Sequence, residues 1–221
     1  VLGLYFIAPQ LGSPGRIAID AAGAVWIVNQ TGIAKLSSLG TFLSAQNGFT
    51  GGGLTAPFSI AIDDDGNAWV TNKASGGSVV EFSNSGTVLS GANGYGAGQG
   101  VPLQIAIAGD GSAWVTTEQN SVVKLSSPGA VLSGSGGFTA SGLTRPDAIA
   151  IDASGNAWVS SLSEAESIFE TSSSGTFVSA PNGYPVAAGS ANSLAIDNGG
   201  NVWTQCLSCL AVKIASSEQL F

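Results

Sequence analysis

The sequence predicts an all-β chain, a β-propeller of five four-stranded blades, on three observations. The only five tryptophans, Trp26, Trp69, Trp114, Trp158 and Trp203, stand 43, 45, 44 and 45 residues apart. The same strand–turn–strand pattern surrounds each of them, and no stretch shows helical periodicity with caps. About 44 residues per repeat, five times over, accounts for all 221, so residues 1–221 are expected to form a single domain. Four-stranded units of that length repeated radially are propeller blades, whereas a solenoid would need distinct capping repeats.

Each unit opens on a short apolar strand A: Ile17-Ala18-Ile19-Asp20, Ile60-Ala61-Ile62-Asp63, Ile105-Ala106-Ile107-Ala108, Ile149-Ala150-Ile151-Asp152 and Leu194-Ala195-Ile196-Asp197. Such segments are too short and too β-branched for helices. Pro14, Pro57, Pro102 and Pro146 precede the first four, while Ala191 breaks the pattern in the fifth. A Gly turn follows, clearest in Asp63-Asp64-Asp65-Gly66-Asn67 and Asp152-Ala153-Ser154-Gly155-Asn156, with Gly supplying positive φ and Asp or Asn bonding the local backbone. Strand B carries the tryptophan, and the repeat anchors run 17–26, 60–69, 105–114, 149–158 and 194–203. Strand C has one charged residue at an aligned position, Lys35, Glu81, Lys124, Glu170 or Lys213, expected to face solvent. A Ser-Gly turn leads into strand D, for instance Thr87-Val88-Leu89-Ser90, and a Gly-rich loop returns to the next strand A. The tryptophans are expected between adjacent blades.

The ring is expected to close through its N-terminal strand. The chain ends at Leu220-Phe221, where the aligned repeats enter strand D, and starts with Val1-Leu2-Gly3-Leu4-Tyr5-Phe6-Ile7, where a strand D belongs. Val1–Ile7 should therefore pair with strand C of the fifth unit, around residues 211–214. A ring of six with one blade outside this stretch is the alternative. The first residue is Val, not Met. That fits a removed secretory leader and a secreted, extracellular or cell-surface location.

The run Pro-x-x-Ile-Ala-Ile-Asp-x-x-Gly-Asn-x-Trp-Val, clearest at Pro57–Val70 and Pro146–Val159, resembles the NHL-repeat propellers. It is especially similar to the bacterial branch related to virginiamycin B (streptogramin) lyase. The resemblance covers all five units and implies the propeller fold. That family's lyases are metal-dependent and use a catalytic His with carboxylates. This chain has no His, so the resemblance is to a non-catalytic member.

Composition narrows the function classes further. Six Lys and Arg against 14 Asp and Glu give a net charge of −8, and the basic residues are scattered, which argues against nucleic acid. No apolar run approaches the roughly 18 residues of a membrane span, so no membrane insertion is expected. The absence of His removes the commonest general base and metal ligand. The serines lack an evident activating base. No catalytic residue and no cofactor are expected.

The candidate sites each carry two readings. Arg16, Gln104 and Asp147 lie at the start of strand A, where the repeats vary most, and are candidates for a channel-mouth ligand site. One aromatic sits in each D–A loop: Phe6, Phe49, Tyr95, Phe138 and Tyr184. This ring could stack on sugar or peptide or plug the blades. Asp63 and Asp65 are the best place for an adventitious cation, against the simpler reading of Asx turns. Cys206 and Cys209 could clip a hairpin as a disulfide, hold zinc with other ligands, or stay reduced. Two functions fit best: a module binding protein, peptide or glycan, and a homo-oligomer or filament subunit built by β-strand exchange. A metal-dependent lyase comes third.

Overall fold

The computed structural model of the chain describes residues 13–45, 47–96, 98–162, 167–186, 192–205 and 212–214. Every regular element among them is a β-strand. The five units comprise β1 (Ile17–Ile19), β2 (Val25–Val28) and β3 (Ile33–Leu36); β4 (Pro57–Ile62), β5 (Ala68–Asn72) and β6 (Ser78–Phe82); β7 (Pro102–Ile107), β8 (Ala113–Thr117) and β9 (Ser121–Leu125); β10 (Pro146–Ile151), β11 (Ala157–Ser161), β12 (Ser167–Thr171) and β13 (Tyr184–Pro185); and β14 (Leu194–Ile196), β15 (Val202–Thr204) and β16 (Val212–Ile214). Each unit is one antiparallel sheet in sequence order. The Trp always faces the Ala of strand A, as Ala61↔Trp69 and Ala150↔Trp158.

The fourth strand is reduced to two contacts. At the start of strand D the chain forms single bridges, Leu36↔Phe42, Phe82↔Val88, Leu125↔Val131 and Thr171↔Phe177. It rejoins strand C only at the loop aromatic: Ile33↔Phe49, Val79↔Tyr95 and Val122↔Phe138 as single bridges, and Tyr184 within β13. Between these points a serine hydroxyl stands in for the backbone. The amide N–H groups of Lys35, Glu81, Lys124 and Glu170 donate to the Oγ of Ser44, Ser90, Ser133 and Ser179 at 3.1–3.3 Å. Only the fourth unit keeps a true fourth strand among the described residues.

The core lies between sheets, not within them. Trp26 packs with Ile60, Ala68, Val70, Val80 and Phe82 of the next unit. Trp69, Trp114 and Trp158 repeat that arrangement at the following junctions. A carboxylate fixes most of the indoles. Asp20, Asp63, Asp152 and Asp197 accept from the Nε1 of Trp26, Trp69, Trp158 and Trp203 at 2.9–3.1 Å. Their other oxygens take turn amides such as those of Ala22 and Ala24. Ala108 interrupts the series, and the buried Trp114 Nε1 has no partner.

The strand C charges correct the expectation of a solvent-facing row in part: Lys35, Glu81 and Lys124 are buried and Glu170 is half-buried, while Lys213 is exposed as expected. The lysines lie over tryptophan rings, Lys35 Nζ 4.3 Å from the Trp26 centroid and Lys124 Nζ 4.7 Å from that of Trp114. They reach into the next unit, donating to the carbonyls of Asn84 and Ser173 at 3.0 and 2.7 Å. The aliphatic stems thus pack while the ammonium finds an acceptor across the junction.

The inner strands β1, β4, β7, β10 and β14 adjoin one another in that order, and the sheets radiate outward from them. The two ends of this array differ from its middle. Trp203 is 39% exposed where the other four tryptophans are 0–2%, and Ile17 and Ile19 are 61% and 63% exposed. The described residues do not show the fifth sheet packed on the first. The expected closing strand Val1–Ile7, Phe6 and the Cys206–Cys209 pair lie outside the described residues. No helix among the described residues is long and apolar enough to cross a membrane.

Candidate functional site at the inner strand starts

The inner strands begin irregularly. β4, β7 and β10 pair with strand B at their proline, then shift register before the first Ile, as between Pro57 and Ile60. A hydroxyl on strand B mends the ladder at this bulge. Thr71 Oγ1 accepts from the Ser59 amide at 2.9 Å and Thr116 Oγ1 from the Gln104 amide at 3.0 Å. Ser160 Oγ does the same for the Ala148 amide. The threonines also donate onward, Thr71 to the Leu103 carbonyl at 2.8 Å and Thr116 to that of Asp147 at 3.0 Å. The starts of β7 and β10 are thereby pinned to the preceding unit. Bulges commonly re-aim side chains.

Arg16, Gln104 and Asp147 all lie at this end, each at or just before the start of an inner strand. The Arg16 guanidinium lies over the Phe58 ring, 4.1 Å from its centroid, and donates to the Phe58 carbonyl at 3.3 Å. Lys73 approaches the same ring at 4.8 Å, so two cations meet on one neutral aromatic. Lys73 is paired with Glu118 at 2.9 Å. Arg16 has no carboxylate within ion-pair distance among the described residues. Burial pulls the Arg16 pKa below its ordinary value, and the Asp147 carboxylate partly offsets that pull. Arg16 and Asp147 form no ion pair with each other. Ser59, buried between them in sequence order around the axis, donates to Gln104 Oε1 at 3.1 Å.

Phe58 escaped the sequence reading. It aligns with Leu103, Asp147 and Asn192, so nothing in the repeat marks it, and only its position beside Arg16 and Lys73 reveals its part.

The four described loop aromatics sit elsewhere, in the junctions. Their centroids lie 5.4–5.7 Å from the tryptophans of their own units: Phe49 on Trp26, Tyr95 on Trp69, Phe138 on Trp114, Tyr184 on Trp158. Tyr95 and Tyr184 donate their hydroxyls to Glu81 and Glu170 at 2.9 and 3.0 Å. Burial, then that bond, pushes both phenols up to about 12. Burial likewise raises Glu81 and Glu170, with the tyrosine bond pulling the other way.

Asp63 spends its carboxylate on the Asn67 amide and side chain and on Trp69, while Asp65 stays exposed. Among the described residues no three His, Cys, Asp or Glu side chains are grouped to hold a metal ion.

Comparison with known proteins shows the fold. No protein-family model matches the chain, and no curated protein matches it by sequence. Solved structures do. A gluconolactonase from Xanthomonas campestris matches with a TM-score of 0.63 at 17% identity, over 90% of this chain and 70% of its own. A catalytically inactive virginiamycin B lyase from Staphylococcus aureus, solved with quinupristin, matches with a TM-score of 0.66 at 14% identity, over 91% and 69%. A protein of unknown function from Bacteroides caccae gives 0.62 at 17% identity, over 92% and 78%. The chain has a β-propeller fold. Its sequence resemblance to the lyase branch thus has a structural counterpart at low identity.

Proposed function

We propose that this chain is a secreted or cell-surface binding module, not an enzyme, and that it takes a peptide, glycan or protein at the mouth formed by the inner strand starts. One observation carries the reading. Arg16 is a half-buried cation held by a ring and a carbonyl, with most of its N–H donors directed at no carboxylate of the described chain. A cation held so, with its desolvation already met and its fork unfilled, is prepared for an outside acceptor. The lactonase and lyase among the similar structures share the fold, which does not carry their chemistry. A chain without His lacks the commonest means to acid–base catalysis.

The test is a titration of the ¹⁵N-labelled chain with short peptides and with oligosaccharides, followed by NMR. Saturable shifts centred on Arg16, Gln104 and Asp147 are expected. Shifts confined to the sheet ends or the outer turns would overturn the assignment.

A second reading, a homo-oligomer or filament subunit, is favoured by the end faces. Trp203 at one end and Ile17 with Ile19 at the other present what each internal junction buries. Unlike faces at opposite ends give head-to-tail contacts, the geometry of open assemblies. Light scattering with negative-stain images tests it: regular chains of particles that a Trp203→Ser variant abolishes would favour assembly, and a monodisperse 21.8 kDa particle would dismiss it.

A further inference from the structure

We propose that a cavity between the second and third units binds an uncharged stretch of peptide main chain with small side chains, the interior of a peptide and not its ends. Arg16, Gln104 and Asp147 do not line this cavity, so the site is separate from the inner-strand mouth and goes beyond it.

The cavity measures about 340 Å³, at the small end of ligand sites, which run from roughly 300 to 1,000 Å³. It lies where two turns differ in length. Five residues, 73–77, join β5 to β6, while three, 118–120, join β8 to β9. The longer turn contributes Gly76 and the shorter one Gln119, and the rest of the wall comes from residues 98–101 and from Ser135 and Gly136. Hydrogen bonds hold these segments together. The Gly98 amide donates to the Gly76 carbonyl at 2.7 Å, the Val101 amide to Gln119 Oε1 at 2.7 Å, and the Glu118 amide to the Val101 carbonyl at 2.9 Å. The Gln99 side-chain nitrogen donates to the Gly134 and Ser135 carbonyls at 3.0 and 3.3 Å. The walls are thus assembled without a ligand, which lowers the ordering cost of binding one.

The chemistry of the wall selects the ligand. No charged and no aromatic side chain lines it, and four of its eight residues are glycine. The charges that flank the two turns, Lys73 and Glu118, are joined to each other. A charged ligand would therefore lose water without gaining a partner, and a sugar ring would find no aromatic platform. The amide N–H groups of Gly76, Gly100 and Gly136 and the Gln119 side-chain N–H₂ have no acceptor among the described residues, and the carbonyls of Gly98 and Gly136 have no donor. A peptide main chain brings donors and acceptors in alternation, and glycine lets another backbone approach closely. Gly136 is the telling case. Its φ lies outside the left-handed region, and an added Cβ would meet nothing within 4 Å. Neither conformation nor packing within the described chain calls for glycine there. At Gln99 and Gly100 the cavity adjoins an apolar cleft of only about 10 Å³, room for one water at most. No ligand side chain can anchor in it, so the main chain is read and small residues are favoured.

The test uses the full chain and three probes, followed by ¹⁵N NMR: N-acetyl-trialanine amide, trialanine with free ends, and maltotriose. The blocked peptide should shift the Gly76, Gly98, Gly100 and Gly136 amides and the Gln119 side-chain N–H₂ saturably. The free-ended peptide should bind there about 10-fold more weakly, because its charges find no partner. Gly136→Ala and Gly136→Leu fill the cavity in two steps. Affinity should fall with each, about 10-fold or more for leucine, while the urea midpoint stays that of the parent chain. Undiminished binding by the folded leucine variant would overturn the site, and the probes decide the matter on the unaltered chain if that variant does not fold. Equal or tighter binding of free-ended trialanine, or binding of maltotriose alone, would overturn the uncharged peptide. Shifts centred on Arg16 and Gln104 in place of the cavity would overturn this site and leave the binding-module reading standing. No saturable shift at the cavity with any probe would overturn it as well.

Discussion

The junctions come in two kinds, and the pairing of residues within each kind shows what a repeat must keep constant. In the first and third units strand C carries Lys and the loop aromatic is Phe, as Lys35 with Phe49 and Lys124 with Phe138. In the second and fourth it carries Glu and the aromatic is Tyr, as Glu81 with Tyr95 and Glu170 with Tyr184. The reason is donor and acceptor arithmetic. A buried carboxylate needs donors, which the tyrosine hydroxyl and an Asn amide supply. A buried ammonium needs acceptors, which the next unit's turn carbonyl supplies, and a phenol there is unnecessary. Both kinds bury a charge beside a tryptophan, and each completes its bonding by a different route. What stays constant is complete bonding, not sign.

The largest expected effect tests what both kinds share. Phe49, Tyr95 and Phe138 each reach over the glycine of the next C–D turn, Gly86, Gly129 and Gly175, and a Cβ on Gly86, whose φ is +89°, would land inside the Phe49 ring. Gly86→Ala should cost roughly 2–4 kcal/mol from overpacking and left-handed strain together. Gly155→Ala, at φ +80° with only the Ser173 Cβ at 3.6 Å, should cost about 1–2 kcal/mol, from strain alone. Urea midpoints of the two variants measure the difference, and equal losses would mean the aromatic contact is unimportant.

Next comes the lysine junction. Lys35→Met keeps the packing and removes the partner of Asp20, 3.2 Å away, so a loss of about 2–4 kcal/mol is expected. The glutamate junction should respond less. Tyr95→Phe removes one donor from Glu81 and should cost about 1–3 kcal/mol. The pH profile separates the two kinds. Asp20 is held below its ordinary 3.8, burial opposing and the Trp26, Ala24 and Lys35 bonds prevailing. Its contribution is present above that value and is lost as pH falls through its lower folded pKa. Glu81 and Glu170 lie above their ordinary 4.5 because burial penalises the charged form. They weaken the fold when ionised, and stability should recover as pH falls through their folded values. Stability should thus rise modestly from neutral pH towards 4.5 and fall below 3.8. Tyr95→Phe should enlarge the rise, because Glu81 loses a bond that lowers its pKa. A monotonic loss from pH 7 downward would contradict this account.

The smallest effect concerns the interrupted series. Ala108→Asp supplies the acceptor that Trp114 Nε1 lacks and should add about 1 kcal/mol, read as a raised urea midpoint.

The strands, the register and the place of the tryptophans were legible because each follows from a period of about 44 residues, and a period needs only the chain itself. Ala108 was visible as a break in the Ile-Ala-Ile-Asp pattern, though its consequence for Trp114 was not. The serines that replace a carbonyl beside strand C recur faithfully, yet their spacing looks like the end of a strand, so the fourth strand read longer than it is. The charged row on strand C read as solvent-facing because alternation within one sheet cannot report the sheet stacked against it. Arg16, Gln104 and Asp147 were picked out by their variability. Phe58, which positions Arg16, varies equally but pairs across units, and no single repeat contains that information.

Among the described residues each hydrophobic cluster joins two consecutive units and none joins three. Cohesion is therefore a chain of nearest-neighbour terms, as in other repeat architectures. No residue in the middle of the array depends on how many units lie beyond its neighbours. An in-frame duplication of residues 57–145 would insert two units, and its one new junction would set the Lys124 and Phe138 face of the third unit against a second-unit face that already receives the Lys35 and Phe49 face of the first. Blade number is thus open to change by simple duplication, and one such sequence can lengthen or shorten its arc without redesigning its interior.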